Sequence, residues 1–181
     1  MGFDLGSLLQ QYVDGATPSS LDAQNHFQQA TQAASPDLIT QALGSMFRSD
    51  ATPAFGQMAG QLFGQASPNQ QAGMLNQLIA GMGPTVLASL LGGSGGSAIG
   101  NLLGQLTGGG TSAAVTPAQA STLTPEQVQV IASHAEQQDP SIVDRLSGFF
   151  AQNPGLVKTL GTAALSIALA KMAEHAGSRS S

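Results

Sequence analysis

Three histidines, ten carboxylates and a scatter of serines are the side chains with which this chain could do acid–base, metal or nucleophilic chemistry. A metal centre needs several of them on one face. A di-iron helical bundle repeats Glu-x-x-His pairs, and a zinc protease carries His-Glu-x-x-His. Here Asp22 precedes His26 by four residues, Glu126 and Val130 share a helix face with His134, and His175 follows Glu174 near Gly177. No ligand set results. Asp22 and His26 read as an exposed i,i+4 pair worth roughly 0.2–0.5 kcal/mol. Glu174 and His175 read as part of a fraying helix tail.

Nucleophilic catalysis fares no better. A serine elbow stands between a strand and a helix, and no segment alternates apolar and polar residues long enough to make a strand. The run Gly92 to Ser97 lacks the Lys-Ser/Thr of a phosphate-binding loop. Glu136, Asp139 and Asp144 cluster at a helix junction, where they suit helix starts and can pair with Arg145. Met46, Met58, Met74, Met82 and Met172 fall on or beside apolar stripes, as core fillers do. The expectation is a chain that is not an enzyme, with no catalytic residue, no cofactor and no metal.

The elements that would hold these residues announce themselves through proline. Eight of the nine prolines follow a small polar residue: Thr17-Pro18, Ser35-Pro36, Thr52-Pro53, Ser67-Pro68, Thr116-Pro117, Thr124-Pro125, Asp139-Pro140 and Asn153-Pro154. Such a pair suits the N-cap and first position of a helix. The side-chain oxygen accepts an unpaired N–H of the first turn, and proline has none to leave unpaired. Ser67 with Gln70, Thr116 with Gln119 and Thr124 with Gln127 add the capping-box spacing.

Apolar residues recur at helical spacing behind most of these starts. Leu5, Leu8, Leu9, Tyr12 and Val13 line a first helix ending at Asp14-Gly15. Ala23, Phe27, Ala30 and Ala34 line a second, from about Ser19. Leu38, Ile39, Ala42, Leu43, Met46 and Phe47 line a third. Phe55, Met58, Ala59, Leu62 and Phe63 follow Thr52-Pro53, and Leu75, Leu78, Ile79 and Met82 follow Ser67-Pro68. The fold class is all-α: about ten short helices in an antiparallel bundle or helical array with a Gly-rich central linker. Residues 1–91 make an N-terminal unit. Residues 92–115 make a Gly/Ser-rich linker with a short helix through Ile99, Leu102, Leu103 and Leu106. Residues 116–181 make a C-terminal unit of three helices, near 125–138, 140–151 and 154–176.

Small residues make a second pattern. Gly56, Gly60 and Gly64 recur every fourth residue inside one helix, and Gly92, Gly96, Gly100, Gly104 and Gly108 do so through the linker. Each helical glycine costs about 0.5–1 kcal/mol relative to alanine, so a close helix neighbour is expected to offset it. Gly161, Ala164 and Ala168 form a related face. Two readings stay open. Either 56/60/64 is a packing seam within the chain and the spacing over 92–108 is an accident of a glycine-rich linker, or one or both stripes contact another copy or a lipid surface.

Bulk composition narrows the partners. Five Lys+Arg against ten Asp+Glu leave 8% of residues charged, and twenty glutamines supply much of the polar surface. Phosphate contacts need clustered Lys and Arg, so nucleic acid is not an expected partner. Without cysteine there is no disulfide framework. The start has no basic region followed by an unbroken apolar run, which favours a cytoplasmic location. The charge-free stretch Thr159 to Ala170 spans about 18 Å as a helix, short of the roughly 30 Å of a bilayer core, and reads as a buried helix.

The glycine-rich centre Leu90-Leu91-Gly92-Gly93-Ser94-Gly95-Gly96, the following Ile99-Gly100-Asn101-Leu102-Leu103-Gly104 and the later Leu123-Thr124-Pro125-Glu126-Gln127-Val128 resemble the small bacterial YidB-like proteins. Phe47-Arg48-Ser49-Asp50 through Gly56-Gln57-Met58, and Asp139-Pro140-Ser141-Ile142-Val143-Asp144 through Leu160-Gly161, are similar to uncharacterised bacterial helical proteins of that kind. The resemblance implies a bacterial helical protein and carries over no catalytic residue. The long final helix departs from the YidB-like pattern.

The functional expectation is a non-enzymatic interaction or scaffold protein that forms a homo-oligomer through apolar and small-residue seams. The alternative is a peripheral membrane protein using the glycine-rich segment and the 154–173 helix. Against that stands the shortage of Lys and Arg that anionic membrane surfaces attract.

Overall fold

Where a polar residue precedes proline, the chain usually does turn into a helix. The computed structural model describes residues 4–15, 19–82, 100, 101, 104 and 114–179. Among them ten α-helices and no strands are found. They are α1 Leu5–Val13, α2 Ser20–Ala33, α3 Pro36–Phe47, α4 Phe55–Gln65, α5 Pro68–Gly81, α6 Pro117–Ala120, α7 Pro125–Gln138, α8 Ser141–Gln152, α9 Pro154–Val157 and α10 Thr162–Arg179. The fold is the all-α array that the proline spacing predicts.

All three expected capping boxes form. The Ser67 amide donates to Gln70 Oε1 at 3.0 Å while Ser67 Oγ accepts from the Gln70 amide. Thr116 with Gln119 and Thr124 with Gln127 repeat the arrangement. Ser35 caps α3 without a reciprocal partner. Three other pairs behave differently. Thr52 does not cap α4, which begins only at Phe55; its hydroxyl donates back to the carbonyls of Met46 at 2.7 Å and Ser49 at 2.9 Å. Asn153 makes no cap bond, and its amide donates to Phe149 O at 2.9 Å. Asp139 accepts from the Ser141 amide at 3.0 Å, with Pro140 outside the helix. Bonds from the Ser141 side chain, then its backbone, hold the Asp139 carboxyl below the usual carboxylate range. Thr17-Pro18 lies outside the described residues.

The chain divides into two compact units: Met1–Ala54 with Ser147–Ser181, and Phe55–Leu146. This differs from a cut at 92–115. Segments on both sides of that stretch belong to the second unit, because α7 packs along α4 and α6 along α5. Within that unit the Asn76 side chain grips the backbone at Val115: Oδ1 accepts from the Val115 amide at 2.7 Å and Nδ2 donates to its carbonyl at 3.4 Å. Phe55, Met58, Leu62, Phe63, Leu75, Leu78, Val128 and Ile131 are buried.

In the first unit α10 packs against α1, α2 and α3. Its face of Ala164, Leu165, Ala168, Leu169 and Met172 is buried, as are Leu9, Phe27, Leu43, Met46 and Phe47. Phe47 stacks at a tilt on Phe150, with ring centres 5.6 Å apart. The expected helix over 154–176 is not continuous. After α9 and a 3-10 turn at Lys158–Leu160, Gly161 takes a φ of 94° and a ψ of 170°, and α10 starts afresh.

The capping geometry sets an expected difference between two threonines. Replacing Thr124 with Ala removes a helix cap and costs about 1 kcal/mol, read as a lower urea midpoint with unchanged slope. Replacing Thr52 with Ala leaves the start of α4 intact, because that hydroxyl serves the end of α3. Amide exchange in the first turn of each helix distinguishes the two.

Candidate functional site

The glycine stripe of α4 faces α7 within the second unit. Gly56 and Gly60 are buried, and Gly64 is exposed. A Cβ on Gly60 would stand 2.6 Å from the Pro125 carbonyl oxygen and 3.1 Å from Gln129 Cβ. One on Gly56 would fall on Ser133 Oγ and 2.8 Å from the Gln129 carbonyl. Backbone therefore approaches backbone at both positions, closer than any real side chain allows. At Gly64 the nearest atom is Pro125 Cγ at 3.1 Å, at the rim of the contact. The stripe is thus occupied by the chain's own helix, the first of the two readings.

The remaining small-residue candidates do not join it. Gly100 and Gly104 are helical; Gly104 is exposed with open space where a Cβ would stand. Most of the 92–108 stripe, and Ile99, Leu102, Leu103 and Leu106, lie outside the described residues. Ala164 and Ala168 are buried on α10, whereas Gly161 is at the bend before that helix.

Two histidines of the first unit have partners that local spacing did not reveal. His26 does not turn to Asp22. Its Nδ1 shares a hydrogen bond of 2.8 Å with the Tyr12 hydroxyl of α1, and the rings meet edge to face at 5.9 Å. Asp22 accepts from Ser19 Oγ at 2.6 Å. Burial, and then the Asp22 charge, raise the Tyr12 phenol above its ordinary pKa, which keeps it neutral. His175 is not in a fraying tail. It is half-buried within α10, and Nε2 is 3.1 Å from Ser45 Oγ of α3. The missed signal was its place seven residues after Ala168 and three after Met172, on the face that α10 buries. Lys158 Nζ adds a tie by donating to Gln28 Oε1 at 2.6 Å. His134 is exposed on α7.

A hydroxyl beside an imidazole can pass a proton, so Ser45 and His175 are the nearest approach to a nucleophile and its base. The contact joins α3 to α10 and serves as a polar pin between two apolar faces. Among the described residues no three His, Asp or Glu side chains gather to hold a metal ion. A groove of about 210 Å³ runs between α1 and α10, lined by Gly6, Leu9, Gln10, Ala173, Ala176 and Gly177. None of these six residues is charged, and four are glycine or alanine. Comparison with protein-family models, curated proteins and solved structures finds no match to this chain.

The seam makes a sharp stability prediction. Gly60→Ala gains helix propensity of about 1 kcal/mol but drives a Cβ into the Pro125 carbonyl. We expect a net loss of about 1–2 kcal/mol in urea unfolding. Gly64→Ala, at the exposed rim, is expected to be neutral or stabilising. For the Tyr12–His26 bond, Tyr12→Phe is expected to cost about 1 kcal/mol. Its resonance reporter is the His26 ring proton set, which should shift while that of His134 stays in place.

Proposed function

We propose that this chain is a non-enzymatic helical interaction protein whose partner is a second copy of itself. Apolar and small side chains, rather than charges, make the contact. One observation carries this reading: only 8% of residues are charged, where about a quarter is usual. Taking an ionised side chain out of water costs several kcal/mol. A surface of Gln, Ser, Thr, Ala and Gly lowers that cost, and the cores of protein interfaces are likewise depleted of charge. In the first unit Leu21 is 70% exposed and Val13 49%, so apolar surface is also left outside. Leu21 is the second residue of α2, and Val13 ends α1.

The resemblance to YidB-like proteins agrees with a bacterial helical protein that brings no catalytic residues with it. A cytoplasmic setting belongs to the same reading. Among the described residues no helix is long and apolar enough to cross a membrane.

Light scattering at two protein concentrations tenfold apart tests the proposal. A mass above that of a single chain, rising with concentration and insensitive to added salt, is expected for a contact without ion pairs. A single-chain mass at both concentrations would overturn it.

A further inference from the structure

We infer that the copies associate by exchanging α10: the helix Thr162–Arg179 of one chain docks on α1, α2 and α3 of a second chain, in place of that chain's own. This rests on the self-association reading and names the contact that reading leaves open.

The first ground is the bend at Gly161. The residue pattern over 154–176 is that of one uninterrupted helix, yet helical torsions break at Gly161, after the 3-10 turn Lys158–Leu160. A single residue makes the difference, with a φ of 94° that L side chains rarely adopt. Gly161 is exposed, and no heavy atom lies within 4 Å of the site a Cβ would take. The bend is held by its flanks, through the Leu165 amide donating to the Gly161 carbonyl at 3.1 Å and the packing of α10, and not by contacts at the open side of Gly161 itself. If Gly161 takes helical torsions, α9, the turn and α10 join into one rod roughly 40 Å long, at 1.5 Å per residue.

The second ground is what that rod would leave behind. Ala164, Leu165, Ala168, Leu169 and Met172 are buried on α10, and α10 packs against α1, α2 and α3. Straightening the hinge exposes that face together with the surface it covers. The only occupant matched to that surface, side chain by side chain, is another α10. Ser45 is ready to receive the incoming His175 as it does its own. Lys158 and Gln28 lie on the side of the hinge that stays. Since the closed and exchanged forms share the same contacts, hinge strain and protein concentration decide between them.

The test uses the absence of cysteine. Gln10 on α1 and Ala173 on α10 line the same groove, so a short bismaleimide bridges thiols placed there. One preparation carries Gln10→Cys alone and the other Ala173→Cys alone. They are mixed, concentrated and cross-linked, with circular dichroism confirming that each is folded. Exchange joins the two variants covalently. Gly161→Ala, which penalises the bend and not the rod, is expected to lower the concentration needed about tenfold. Higher-mass species without the joined product would overturn exchange and leave self-association standing. A joined product whose yield ignores Gly161→Ala would also overturn it. No higher-mass species at any concentration would remove the self-association reading and the exchange with it.

Discussion

The approach of α7 to the bare glycines of α4 is the contact on which the second unit depends. Helices of eleven and fourteen residues bury little surface each, and isolated helices of that length are marginal in water. What they lack in length must come from proximity. Gly56 and Gly60 let the Pro125 and Gln129 carbonyls come to distances that alanine would forbid. Dispersion gained along that line offsets the propensity lost in α4. The contact also decides the organisation of the chain, since it joins elements on either side of residues 83–113 into one unit.

The sequence made the helices legible because their starts are chemical events with fixed spacing. Ser67 and Gln70, or Thr124 and Gln127, stand only three residues apart, so local spacing reports them well. The same reasoning misplaced Thr52, whose hydroxyl found better acceptors in the closing turn of α3. Gly161 was invisible for the opposite reason. Glycine costs about 1 kcal/mol inside a helix, too little to separate an interruption from a tolerated residue. Packing of α10 on three other helices then decides the matter.

The sites were less legible than the fold. Gly56 and Gly60 were marked by their spacing, but spacing says only that something comes close, not what. The partner, α7, begins sixty residues downstream of α4's end. His175 and Ser45 are farther apart still, 130 residues along the chain. Such pairs depend on tertiary placement, and no local pattern encodes it. Scarcity of charge, by contrast, is a property of the whole chain and needs no tertiary placement to be read.

One side-chain amide has consequences beyond its two hydrogen bonds. Asn76 offers Val115 a donor and an acceptor side by side, as a neighbouring peptide group would. It fixes Val115, two residues before the start of α6, against α5. Loop closure depends only logarithmically on length, about 0.6 kcal/mol for each doubling. A change in the number of residues between Asn76 and Val115 is therefore expected to cost little, since the clasp itself keeps the head of α6 in register on α5.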